Sequence, residues 1–283
     1  LLPTAMSEDS ESATRSSRSP GHVEYDRIAR TYARRYAHSP MHGVASALRS
    51  RARALEAVDL LEVGCGTARY LADLPPGAAR RCGLDLSTGM LEQARQRGAD
   101  LQLLQARAGQ IPFADGVFDL VFCVNAIHHF DHPGVFVREA YRSLRPGGVL
   151  AVIGSDPHDG QGAWYIYDYF EDTLQTDLRR FPSWGRIVDW MVTADFGGIE
   201  FRWVERIHDP MIGREVLDDP FLRKDACSQL ALLSDDDYAA GLGRIKSAVE
   251  DAAAAGEDLV FLTDIHFGSI LGRRSSRPSE ARM

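Results

Sequence analysis

The residues best suited to chemistry sit in one short stretch, LLEVGCGTARYL, at 60–71. An apolar run ends around Glu62, Gly64 and Gly66 follow, and a helical pattern begins. Glycine at such a turn lets backbone N–H groups approach a ligand with no Cβ in the way. A dinucleotide site asks for G-x-G-x-x-G, and here the third glycine position is Arg69. The spacing is instead E-x-G-x-G-x-A over Glu62, Gly64, Gly66 and Ala68, which turns the reading away from NAD and FAD. Asp85 closes the next apolar run. A carboxylate at the end of a second strand can accept from both hydroxyls of a ribose, while its plain alternative is a surface aspartate in a turn.

Two other groups invite a chemical reading. Asn125 closes a later apolar run, and His128, His129 and His132 follow it. No acidic partner accompanies these histidines, so no metal site is expected. Either His128 or His129 can serve as a general base, or stand as a structural or solvent-facing ring. The aromatic run WYIYDYF at 164–170 fits an amphipathic lid helix packed on a sheet. It also fits a pocket wall, with Tyr167 or Tyr169 facing a ligand and Asp168 beside a cationic or proton-bearing substrate. Aromatic faces attract cations by about 0.5–2 kcal/mol.

These groups need a scaffold, and the chain alternates short apolar runs with helical patterns. Strands are expected at 59–63, 82–86, 101–106, 118–125 and 149–155, with helices between them, one opening at Pro133. That alternation predicts an α/β doubly wound sheet. Two further strands, at 199–207 and 258–267, complete seven, and helical insertions at 156–195 and 208–256 follow strands five and six. Before the sheet, 23–37 reads as a helix, with Tyr25, Ile28, Ala29 and Tyr32 on one face, and 41–57 as a second. The first helix has no strand of its own to cover, so it is expected to close over the ligand cleft as a lid. Residues 22–272 are read as one domain with its core at 58–155. The Ser-rich segment 1–21 and the tail 273–283 are too polar to order themselves.

Lys+Arg number 32 against 40 Asp+Glu, a net charge of −8, which argues against nucleic acid as the main partner. No apolar stretch reaches the ~18 residues of a membrane span, and no secretory signal is expected. Cys65, Cys82, Cys123 and Cys227 form no CxxC pair and read as reduced, buried thiols of a cytoplasmic protein.

Together LLEVGCGTARYL, GLDLSTGMLEQAR, IPFADGVFDLVFCVNAIHHF and RSLRPGGVL resemble the class I S-adenosylmethionine-dependent methyltransferases, in particular the small-molecule group with a methyltransferase type 11 core. The resemblance covers 58–155 and implies a Rossmann-like fold with S-adenosyl-L-methionine as cofactor. It implies that Gly64 and Gly66 line the methionine and ribose part, that Asp85 holds the ribose, that Leu86 flanks the adenine and that Asn125 faces the methionine part. Tyr25 and Tyr32 would close the site from the N-terminal helix. One position departs from the family. The acid that usually meets the adenine amino group is Arg107 here, which cannot accept that hydrogen bond, so the backbone at Ala108 or another group must read the adenine. The resemblance implies methyl transfer to a small molecule in specialised metabolism, with the acceptor and the oligomeric state left open. The alternative keeps the cofactor but cyclises its aminocarboxypropyl arm to a four-membered imino acid such as azetidine-2-carboxylate, releasing methylthioadenosine.

Overall fold

The computed structural model describes residues 23–32, 40–74, 80–98 and 100–276, with the side chains of 30–32 also left aside. The segments expected to be disordered, apart from 273–276, lie outside the described residues, as does the side chain of Tyr32.

Eight strands form one sheet among the described residues. They are β1 (Asp59–Val63), β2 (Arg80–Asp85), β3 (Leu101–Gln105), β4 (Phe118–Val124), β5 (Leu144–Gly154), β6 (Ala163–Trp164), β7 (Phe196–Ile212) and β8 (Val260–Arg274). The order is β3-β2-β1-β4-β5-β8-β6, with β7 on the other edge of β8. The first five strands run parallel and the rest pair antiparallel to β8. The eighth strand, beyond the seven expected, is the two-residue β6. The last strand also runs to Arg274, which pairs with Phe196, so the ordered chain enters the stretch expected to be a tail.

Side-chain alternation along the strands splits the core into two layers. Leu61, Val121, Leu150 and Val152 face α5 (Pro133–Ser143) and α8 (Trp184–Thr193). Leu60, Leu120, Phe122 and Ala151 face α2 (His42–Ala54), α3 (Arg69–Ala72) and α4 (Thr88–Arg95). A sheet covered on both faces explains why β4 is almost continuously apolar and why β1 is buried along its whole length. A third cluster stands over one end of the sheet. It joins α6 (Tyr165–Tyr169) and α10 (Asp235–Ala255) to Met211 and Phe261 at the ends of β7 and β8.

The first helix, α1 (Tyr25–Tyr32), rests on the start of α4. Asp26 accepts from Ser87 Oγ at 2.6 Å and from Gly89 N–H at 2.8 Å, while Ser87 Oγ accepts Met90 N–H at 3.1 Å. A carboxylate and a hydroxyl thus share the orphan donors of that helix N-terminus.

Candidate functional site

In open parallel sheets, ligands bind beyond the C-terminal strand ends where the strand order reverses. Here that point lies between β1 and β4, and a cleft opens there. Gly64 and Gly66 form its floor with φ of +69° and +52°. A Cβ on Gly64 would strike Ala126 at 2.6 Å, so that position requires glycine for packing. A Cβ on Gly66 would meet nothing within 4 Å, because it would point into the open cleft.

Asp85 ties this turn to the next strand. Its Oδ2 accepts Gly66 N–H at 2.7 Å and its Oδ1 accepts Ser87 N–H at 2.9 Å. Burial raises the carboxyl pKa above its ordinary value against these backbone donors. Glu62 lies deeper and accepts Leu71 N–H at 3.1 Å, anchoring α3. Burial pushes its pKa well above the usual carboxylate range.

Leu86, Ala108 and Arg107 line the same cleft. Arg107 donates to Asp131 at 2.6 Å, and Asp131 also lines the cleft. The pair puts a carboxylate at this wall although the expected acid is absent. Asp131 was missed in the sequence because it lies in the loop after β4, far from the motif that usually supplies the acid.

Val23, Tyr25 and Asp26 bring α1 to the cleft. Tyr25 Oη lies 2.6 Å from His129 Nε2, with the two rings edge to face. Asn125 turns the chain at φ +48°, a left-handed conformation uncommon outside glycine and often kept at functional sites.

A second cavity of about 770 Å³ adjoins the first, and Tyr25, Asn125 and His129 line both. Its walls come from the loop after β5, from α6, from Phe181, from the 213–222 segment and from β7 and β8. His128 and Tyr167 line this chamber. The His128 ring stacks on Phe181 with centroids 3.7 Å apart. Tyr167 Oη donates to Asp177 at 2.8 Å, and burial together with that carboxylate drives its phenol pKa upward. The phenol is therefore a donor and no base.

Two expectations change. Asp168 is exposed and lines neither cavity, because the turn of α6 that buries Tyr165 and Ile166 directs it outward. Of the two adjacent histidines, His129 holds the junction and His128 the chamber wall. The short 3-10 turn over Ile127–His129 tilts the two rings against each other with centroids 3.9 Å apart, so that only His129 reaches both cavities, which sequence spacing could not resolve. Among the described residues no group of histidine, cysteine and carboxylate side chains is arranged to hold a metal.

A family profile for a methyltransferase domain matches residues 61–152. The chain is 36% identical over 137 residues to a malonyl-[acyl-carrier protein] O-methyltransferase of Enterobacter lignolyticus, covering 46% of this chain and 53% of that protein. It is 27% identical over 175 residues to a demethylmenaquinone methyltransferase of Listeria monocytogenes, covering 53% of this chain and 74% of the relative. The chain thus spans about half the length of the malonyl relative and more of the other. Among solved structures, an S-adenosylmethionine-dependent methyltransferase of Thermotoga maritima, described as a possible histamine N-methyltransferase, superposes with a TM-score of 0.54. It shares 19% identity and covers 89% of this chain and 98% of its own, a likeness of fold.

Proposed function

We infer that this chain, which carries the class I S-adenosylmethionine-dependent methyltransferase core, is an enzyme that methylates a small molecule. The observation that carries the inference is the meeting of two cavities at Tyr25, Asn125 and His129. The first suits the cofactor. Asp85 offers a carboxylate to the ribose, the open side of Gly66 leaves room for backbone approach, Leu86 covers the adenine, and Asp131 with the Ala108 backbone takes the place of the missing acid. When bound, S-adenosylmethionine supplies a methyl group on a sulfonium, an electrophile that needs positioning more than acid–base help.

The chain's own residues would do that positioning, which can contribute about 7–11 kcal/mol in well-oriented cases. Asn125 fixes the wall between the two cavities. His129 stands at the junction to take a proton from the acceptor, with Tyr25 orienting its ring. The α1 helix acts as a lid, anchored on α4 through Asp26 and covering the cleft with Val23 and Tyr25.

A chamber of this size supports an acceptor distinct from the cofactor, since cyclisation of the aminocarboxypropyl arm needs no second substrate. The chamber is assembled mostly from segments outside the matched core, so the relatives' acceptors are not carried over. A role in specialised metabolism fits that separation. Four free, buried cysteines fit a reducing compartment such as the cytoplasm. Among the described residues no helix is long and apolar enough to cross a membrane, and the acidic balance disfavours nucleic acid as a partner.

Incubation with methyl-labelled S-adenosylmethionine and a library of small acceptors tests the reading. Labelled product with S-adenosylhomocysteine is expected. Methylthioadenosine formed without any acceptor would replace it with the cyclisation.

A further inference from the structure

The lining of the acceptor chamber has a definite sign. Six carboxylates face it, from Asp156, Asp209, Glu215, Asp218, Asp219 and Asp264, and among the described residues no lysine or arginine does. Two of these charges are answered by basic side chains, Asp264 in part by His208 and His266 of the chamber lining at 3.5 and 3.3 Å. Arg206 clamps Asp264 with two contacts of 2.7 Å, and His158 lies 2.8 Å from Asp156. The others differ. Asp219 accepts from the Tyr165 hydroxyl at 2.6 Å and from Phe221 N–H at 2.8 Å, and Glu215 accepts Ile212 N–H at 2.8 Å. The neutral Ile212 N–H orients the Glu215 carboxylate without cancelling its charge.

The apolar part of the lining is aromatic. Trp164, Tyr167, Phe181, Phe221 and Phe267 contribute to it, with the Trp164 and Tyr167 rings edge to face at 5.4 Å. Aromatic faces and carboxylates both attract cations, and low-dielectric walls focus the field inside a cleft. An anionic acceptor would meet six carboxylates on those walls and, among the described residues, no lysine or arginine, the basic side chains there being His128, His129, His208 and His266.

We propose that the acceptor bound in this chamber is a cationic amine: an aromatic or apolar body carrying a protonated nitrogen. The proposal rests on the reading of the two joined cavities as cofactor cleft and acceptor chamber. It assigns the charge of the substrate and leaves the core reading untouched.

The test uses the full chain saturated with S-adenosylhomocysteine, so that only the chamber is varied. Three probes share one skeleton: 3-phenylpropylamine, 3-phenylpropan-1-ol and 3-phenylpropanoate. Calorimetry should show the amine binding at least about tenfold more tightly than the carboxylate, with the alcohol between them. Asp209→Asn with Asp218→Asn, both at exposed positions, should reduce the amine's advantage and leave the alcohol unchanged. Added salt should shrink the same advantage in the unaltered protein. A carboxylate bound as well as the amine, or no amine binding at all, overturns the proposal while the cofactor reading stands. A protein that fails to bind S-adenosylhomocysteine defeats the underlying reading instead.

Discussion

Replacing Asp85 by asparagine keeps the side-chain shape and removes its charge. In the structure the carboxylate serves two backbone donors at once, Gly66 N–H at 2.7 Å and Ser87 N–H at 2.9 Å. An amide offers one acceptor oxygen, so one of these donors would then face an NH2 group. The ribose would meet the same deficit. A hydrogen bond to a charged group contributes about 1.5–3 kcal/mol, so losing one weakens cofactor affinity by about tenfold to a hundredfold or more. The assay is calorimetric titration of S-adenosylhomocysteine into Asp85→Asn and the parent, beside thermal melts of both free proteins. The pH dependence gives an internal control. Burial holds the Asp85 pKa above its ordinary value, and ribose hydroxyls bind the ionised form, so parent affinity should fall as pH drops through that raised pKa. The asparagine variant should show no such fall. A folded variant that binds within about twofold of the parent at neutral pH would refute the assignment.

Other substitutions probe neighbouring parts of the site. Gly66→Val must adopt φ of +52° and would project its branch into the cleft, so cofactor binding should be lost to calorimetry; retained affinity would exclude this turn as the cradle. At Gly89 a Cβ would come within 3.2 Å of Ala29 Cβ and Asp26 Cα, so Gly89→Val should push α1 away and lower cofactor affinity with only a modest change in melting. Unchanged affinity in that variant would mean that α1 is no lid. Glu62 is buried with a raised pKa, so its contribution favours folding below 4.5 and is lost as pH rises through the raised value. Glu62→Gln should therefore flatten the dependence of the melting temperature on pH above 4.5, and a parallel curve would show that Glu62 does not titrate in that range.

The middle of the sheet was legible because strands such as β4 and the second half of β5 are buried on both faces and read as short apolar runs. The two-residue β6 carries no periodicity, and only pairing with Thr263 and Asp264 makes it a strand. Pro146-Gly147-Gly148 reads as a turn, yet the backbone pairs Leu144 with Phe118 ahead of it, so β5 starts earlier than its apolar run. The residues proposed to hold the cofactor lie in local motifs and could be named one by one. The chamber could not, because it draws on segments from Tyr25 to Phe267 that meet only in the folded chain. His129 and His128 differ by one position in sequence, yet both line the chamber and only His129 also reaches the cleft. Asp168 looked chemical from its aromatic neighbours, but a five-residue helix turns it to solvent.

The division of the two cavities along the chain also shapes what can be engineered. Most of the cofactor cleft is drawn from residues 62–131, and most of the chamber from 155–267. Only Tyr25, Asn125 and His129 belong to both. On the proposed reading, redesign of the later segment can change what the chamber binds while the earlier one is held constant, as a handle is kept when the tool head is exchanged. The three shared side chains are the fitting between them, and any graft that moves them must re-align donor and acceptor together.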